Sequence, residues 1–124
     1  MKSFEILEET YIHENKKVTF KLGKNSSAND YLMKNSEKED WWFHLADFPS
    51  GHCLVEIEKI SSKGENPKLE KFEIDTASTL IKENCKLKNH NKKLKVNYLQ
   101  MKFVRSGKEK GQAILLKNPE ICFI

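Results

Sequence analysis

Alternating apolar and polar residues predict pairs of strands on either side of a short polar segment. FEIL (4–7) and VTFKLG (18–23) are predicted as the first two strands, because apolar residues take every second position in the latter. Two more strands, at about 41–46 and 52–60, flank the turn signal DFPSG. The second pair of strands is therefore predicted to form a hairpin.

Helical spacing predicts a short helix between the two pairs of strands. Ser27 precedes Asp30 by three residues, which is typical of a helix N-cap. Ala28, Tyr31 and Leu32 share one side of this helix and are expected to face the core.

A second helix is predicted over about 76–88. Asp75 can cap its N-terminus, and an apolar stripe runs along it from Ala77 to Cys85. The helix follows SSKGENPK (61–68), whose composition is typical of a loop.

The C-terminal part of the chain is predicted to be three strands. In KKLKVNYLQMKFV the apolar alternation changes phase after Tyr98, which indicates a bulge or bend near that residue. QAILL and ICFI complete the set. The element order is about ββαββαβββ, so we expect residues 1–124 to form one α+β domain with a mostly antiparallel sheet and two helices.

The segment DWWFHLADFPSGHC (40–53) concentrates aromatic residues and histidines. Pairing Phe43 with Cys53 places the apolar residues of both strands on one side of the hairpin. The other side then carries four residues whose types packing does not require, namely Asp40, Trp42, His44 and His52.

Four interpretations of these side chains remain open. They form a satisfied polar network under the second helix, or His44 and His52 join Cys53 in a metal site, although Cys53 points to the other face. The third is acid–base chemistry by Asp40, His44 and His52, for which no nucleophile or phosphate-loop motif is found. The fourth is RNA recognition, with Trp42 stacking on a base and the imidazoles near phosphates. We expect neither a metal nor a cofactor.

Charge is distributed unevenly along the chain. The whole sequence carries 22 Lys or Arg and 18 Asp or Glu, but residues 82–110 hold 10 of the former and 2 of the latter, a net charge of +8. Such a segment is a plausible phosphate-binding surface, or else a solvated lysine-rich face. The three cysteines lack CxxC spacing, which favours reduced thiols in the cytoplasm. The sequence has no apolar run approaching ~20 residues, so we expect no membrane span.

Three ordered motifs make most of the chain resemble the NFACT-R domain. They are LGKNSSANDYL, EDWWFH and PSGHCLVEI, and the later VNYLQMKFVRSGKEKGQAILL also fits the family pattern. The matching residues are Gly23, Lys24, Asn25, Asn29, Asp30, Leu32, Asp40, Trp42, Phe43, His44, Pro49, His52, Val96, Tyr98, Lys102, Arg105 and Gly111. Two departures are PSGH in place of the commoner PGSH, and Cys53 in place of a usual Val.

The resemblance implies a standalone RNA-binding domain without catalytic activity. NFACT proteins are ribosome quality-control factors that bind the large ribosomal subunit, and the R domain is regarded as their RNA-binding part; standalone versions are linked by analogy to RNA modification. The expected partner is therefore tRNA or rRNA, with the large ribosomal subunit as a candidate. Expected RNA-binding residues are Lys24, Asn25, Asp40, Trp42, His44, His52, Lys86, Lys88, Lys92, Lys93, Lys95, Lys102 and Arg105. A protein-interaction adaptor is the alternative, and an RNA-processing enzyme is a third.

Overall fold

The computed structural model describes residues 5–60, 68–86 and 92–124. In chain order its elements are β1 (Ile6–His13), β2 (Lys16–Gly23), α1 (Ser26–Lys34), β3 (Trp41–Leu45), β4 (Cys53–Lys59), α2 (Lys71–Glu83), β5 (Lys95–Gln100), β6 (Val104–Ser106), β7 (Ala113–Leu115) and β8 (Glu120–Phe123). The predicted α+β class is confirmed. None of the helices in these ranges has the length and apolar character that a membrane crossing requires.

Six strands form one antiparallel sheet in the order β1-β2-β4-β3-β5-β8, and β6 pairs with β7 in a separate hairpin. The predicted register of the central hairpin is confirmed, because Phe43 lies opposite Cys53. β1 is longer than the predicted FEIL, since its outer residues belong to an exposed edge strand whose polar positions hide the alternation.

Both faces of the sheet are covered. One face packs against α2 and contains Phe20, Phe43 and Val55. On the other face Trp42, Leu54 and Leu99 form a second core with residues of α1 and of the β6–β7 hairpin. The central strands therefore bury side chains on both faces, and this burial of apolar surface stabilises the fold.

Both helices begin earlier than their predicted caps. α1 is capped by Asn25, whose side-chain oxygen accepts a hydrogen bond from Ala28 N at 2.7 Å, and not by Ser27. Its buried residues include Ala28, Leu32 and Met33, whereas Tyr31, predicted to face inward, is 42% exposed.

α2 starts at Lys71 rather than after Asp75, because Glu70 and Glu73 form a capping box. Glu70 N donates to Glu73 Oε1 at 2.7 Å, and the same oxygen accepts from the buried Lys16 Nζ at 3.0 Å. The apolar stripe predicted for this helix is confirmed, with Ala77, Leu80 and Ile81 buried. The capping box therefore lies within the helix sequence, and Lys16 on β2 adds a buried ion pair to it.

Of the bulge or bend predicted near Tyr98, the bulge is wrong, because the β3–β5 pairing is continuous through that residue. β5 runs straight through Tyr98 to Gln100, with Tyr98 on the α2 face and Leu99 on the other. Apolar residues occur in both phases because both faces are buried there. The chain turns only at Met101–Phe103, a short 3-10 segment that divides the long predicted strand into β5 and β6.

Candidate nucleic-acid interface

The four unusual side chains of the hairpin separate into two environments. The rings of His44 and His52 have centroids 5.0 Å apart, and Trp42 stacks on His44 at 5.7 Å with an interplanar angle of 8°. Asp40 precedes Trp42, so the indole lies between Asp40 and the histidines along β3. The predicted approach of the two histidines to Trp42 is confirmed.

Trp42 belongs to the core beside α1. Its side chain is 4% exposed and packs in the cluster that includes Leu32, Met33 and Leu99. The covering elements are α1 and the β6–β7 hairpin, and not α2 as the polar-network interpretation assumed. In this conformation the indole has no open face for a base, so we assign Trp42 to packing.

Asp40 serves the segment between α1 and β3. One of its carboxylate oxygens accepts a hydrogen bond from Glu37 N at 2.9 Å, and its carbonyl accepts from Met101 N at 2.8 Å. It is 8% exposed, and this burial raises the pKa of the carboxyl, which the backbone bond from Glu37 partly opposes. Asp40 thus joins the start of β3 to the end of β5 and does not orient either imidazole.

Burial also determines the charge of the two histidines. It lowers the pKa of His52 from 6.5 to about 3, with a smaller contribution from the nearby His44. The pKa of His44 is lowered by burial as well, against hydrogen bonds to the backbone at Leu45 and Ser50. Both imidazoles are therefore neutral near pH 7, and His52, only 5% exposed, cannot attract a phosphate as a cation.

Residues of the family-like motifs lock α1 against the β3–β4 turn. Gly23 N donates to the carbonyl of His52 at 2.9 Å, and His52 N donates to Asn29 Oδ1 at 3.1 Å. A β-carbon on Gly23 would lie 2.3 Å from the same Asn29 oxygen, so only glycine fits. His52 therefore acts mainly through its backbone, by fixing the position of the turn.

This junction forms one wall of a groove of about 460 Å³, here called the cationic groove. Lys24 stands on one side, where β2 passes into α1, and Lys86 on the other, just beyond the end of α2. Phe48, 46% exposed, lines it from the turn. None of the lining residues, all within the described ranges, is acidic, although the Glu5 carboxylate lies next to the groove and accepts from Asn25 Nδ2 at 3.2 Å.

The basic residues before and at the start of β5 lie at the same end of the sheet. Ala46 N donates to the carbonyl of Lys95 at 2.9 Å, which places the beginning of β5 beside the β3–β4 turn. Lys92, Lys93 and Lys95 are all exposed. The predicted contact residue Lys88 lies outside the described residues.

Lys102 and Arg105 are not part of this surface. They follow the far end of β5, where Gln100 pairs with Trp41, about 17 Å from Lys95 at ~3.3 Å per residue. Lys102 Nζ is 3.6 Å from Glu39 Oε1, and Arg105 is exposed on β6 opposite Ile114. The structure thus divides the predicted basic surface into two groups. Lys24 and Lys86 line one groove, and the start of β5 lies at the same end of the sheet.

Sequence analysis missed Phe48, the aromatic residue of the groove. It lies in the turn between two predicted strands, and strand alternation does not tell which way a turn side chain points. An aromatic residue flanked by Asp47 and Pro49 in a turn was the available signal. Asn84, on the α2 side of the groove, had no signal, because its proximity to the turn depends on how α2 packs.

The metal-site interpretation of His44, His52 and Cys53 has little geometric support. Cys53 is buried on the α2 face, away from His52, and burial raises the pKa of its thiol. Within the described ranges, no group of three or more His, Cys, Asp or Glu side chains is placed to hold a metal ion.

No protein-family model and no curated protein matches the chain. Among solved structures it is similar to the C-terminal part of the fibronectin/fibrinogen-binding protein from Streptococcus suis, with a TM-score of 0.69 and 22% identity. The similarity covers 94% of this chain and 44% of that one, so the chain spans less than half of the neighbour. At this identity the likeness shows a shared fold only.

Proposed function

We propose that this chain is a non-catalytic RNA-binding domain that holds RNA in the cationic groove and on the adjoining start of β5. The observation that carries the proposal is the position of Lys24 and Lys86. They are distant in sequence, yet they flank one groove together with the exposed ring of Phe48.

The chemistry of the groove suits unpaired nucleotides. Lysine side chains neutralise phosphates without reading sequence, and an exposed aromatic ring stacks on any base. The N-terminus of α1, with Asn25 and Ser26 in the lining, adds the positive end of a helix dipole. Lys92, Lys93 and Lys95 would extend the phosphate contacts along the chain of the RNA.

The resemblance to NFACT-R domains favours tRNA or rRNA as the target. Structured RNAs present unstacked bases in loops and at ends, which is where proteins read single strands. We propose accordingly a role in ribosome quality control or RNA modification in the cytoplasm, with the large ribosomal subunit as a candidate partner. In this assignment His52 shapes the groove through its backbone, whereas Asp40, Trp42 and His44 lie outside the groove lining.

A protein-interaction adaptor is the second candidate. The observation favouring it is the structural neighbour, whose name describes a protein that binds fibronectin and fibrinogen. An adaptor would use apolar contacts, whose strength depends little on salt. An RNA-processing enzyme is the third candidate, and would show turnover that His44→Ala abolishes while the fold is kept.

The test is binding of labelled tRNA, rRNA fragments, single-stranded RNA and duplex DNA at two salt concentrations. The Lys24→Gln/Lys86→Gln variant should weaken RNA binding and flatten the slope of log affinity against log salt by about 0.7–0.9 per lost contact. Folding should change little, because exposed charges contribute little to stability.

The matched control is Lys17→Gln/Lys38→Gln, which removes the same charge from exposed positions at the other end of the sheet. Equal effects of the two double variants would mean that RNA binding depends on overall charge and not on the cationic groove. An unchanged affinity and slope in the groove variant, with tight binding of a protein partner, would make the adaptor the better assignment.

A further inference from the structure

A second groove, of about 710 Å³, lies on the α2 face of the sheet near the start of that helix, and is here called the aromatic groove. Trp41 and Tyr98 line it with ring centroids 6.1 Å apart and an interplanar angle of 55°. Ile57, Leu69 and Ile74 add apolar lining. Trp41 begins β3, so this groove lies at the opposite end of that strand from Phe48.

Two carboxylates line the groove beside the rings. Glu120 lies directly opposite Tyr98 in the β5–β8 pairing. Glu39 Oε2 accepts a hydrogen bond from Gln100 Nε2 at 3.2 Å, and Gln100 in turn lies opposite Trp41. Lys68 lines the groove on the side of α2. The two carboxylates lie on the other side, beside Trp41 and Tyr98.

A planar cation fits this combination better than other groups. Guanidinium stacks on tryptophan and tyrosine rings and donates paired hydrogen bonds to carboxylates. The apolar lining would hold its methylene stem and a neighbouring apolar residue. Lys102, 3.6 Å from Glu39 Oε1 in an exposed pair, offers only weak competition. An RNA backbone is disfavoured, because its phosphates would meet Glu39 and Glu120.

We propose that the aromatic groove binds an arginine side chain of a partner protein, with its guanidinium against Trp41 and Tyr98 and between the two carboxylates. Charge complementarity argues for this occupant over an apolar segment or a second copy of the chain. The site is separate from the cationic groove, so the domain could hold RNA and a basic protein segment at opposite ends of β3.

The experiment titrates the full chain with the blocked dipeptide acetyl-Leu-Arg-amide and follows the indole N–H signals by NMR. The chain has two tryptophans, and Trp42 is buried on the opposite face, so it serves as an internal reference. The Trp41 signal should move and the Trp42 signal should stay. The neutral citrulline dipeptide should bind about five- to tenfold more weakly, as expected from loss of the cation.

Two surface variants locate the contact. Glu39→Gln/Glu120→Gln should weaken the arginine dipeptide several-fold, whereas Glu58→Gln, an exposed position whose alternation in β4 places it on the other face, should not. The parent and both variants should bind RNA equally well, which keeps this result distinct from that for the cationic groove.

Three results would overturn the proposal. Equal affinity for the citrulline dipeptide would mean that the groove selects apolar groups, and equal affinity for a lysine dipeptide would remove the guanidinium assignment. A Trp41 signal that shifts with protein concentration alone, together with dimer formation in sedimentation, would assign the groove to a second copy of the chain.

Discussion

The backbones of Gly51 and Gly23 approach so closely that a β-carbon on Gly51 would lie 2.1 Å from the Gly23 carbonyl oxygen. Gly23 N is bonded to the carbonyl of His52, so the contact fixes the β3–β4 turn against the end of β2. This approach fixes the wall of the cationic groove that carries Gly51 and Lys24, opposite Lys86.

Gly51→Ala should therefore destabilise the protein by about 1–3 kcal/mol, the range for overpacking against a rigid neighbour. Gly107→Ala is the matched control, because its new carbon would meet the flexible side chain of Gln112, which can move away. Urea denaturation compares the two. Equal stabilities of the variants would show that the turn shifts freely.

Trp42→Ala should cost about 3–5 kcal/mol of stability, as for other large core aromatics, while Trp42→Phe should retain most of the packing. The fraction of Trp42→Phe that is folded should bind RNA as the parent does, because the indole is buried beneath α1. Denaturation curves and RNA titrations on the same samples check this. A normally stable Trp42→Phe protein with poor RNA binding would restore the base-stacking interpretation.

Phe48→Ala should keep most of the stability and lose RNA affinity. The side chain is 46% exposed, so stability should fall by less than about 1 kcal/mol, whereas RNA affinity should fall by about 1–3 kcal/mol if the ring stacks on a base. Ile12→Ala, an exposed apolar residue at the far end of β1, is the control. Both quantities come from anisotropy and thermal melting. Unchanged affinity would remove Phe48 from the interface.

Acid should destabilise the fold through His52. Its pKa is lowered from 6.5 to about 3 in the folded state, so the unfolded chain binds more protons between these values. The associated stability is present above 6.5 and is lost as the pH falls, by at most about 2 kcal/mol from pH 7 to pH 5.

The measurement is the free energy of unfolding of the parent and of His52→Gln at several pH values. The variant will be less stable throughout, so the relevant quantity is the difference in slope between pH 7 and pH 5. The parent should show the steeper loss. Parallel curves would mean that His52 takes up its proton in the folded protein as easily as in the unfolded chain.

The local pattern of the sequence was sufficient for the class of fold and for the central hairpin. Alternation on both strands admits one register that buries Phe43 and Val55 together, and the structure has that register. Periodicity also found the buried stripe of α2, because the 3.6-residue repeat reports which side is apolar wherever the helix is packed.

Packing between distant segments decided the rest. The ion pair of Lys16 with Glu73 joins β2 to the start of α2. The apparent change of phase after Tyr98 arises because a second core covers the other face of β5. Trp42 and His52 had the residue types of a binding site, and only the cover of α1 and the β6–β7 hairpin makes them interior. Lys24, Phe48 and Lys86 form one surface for the same reason. Their proximity is a property of how α1, α2 and the turn pack, and no local repeat in a sequence records it.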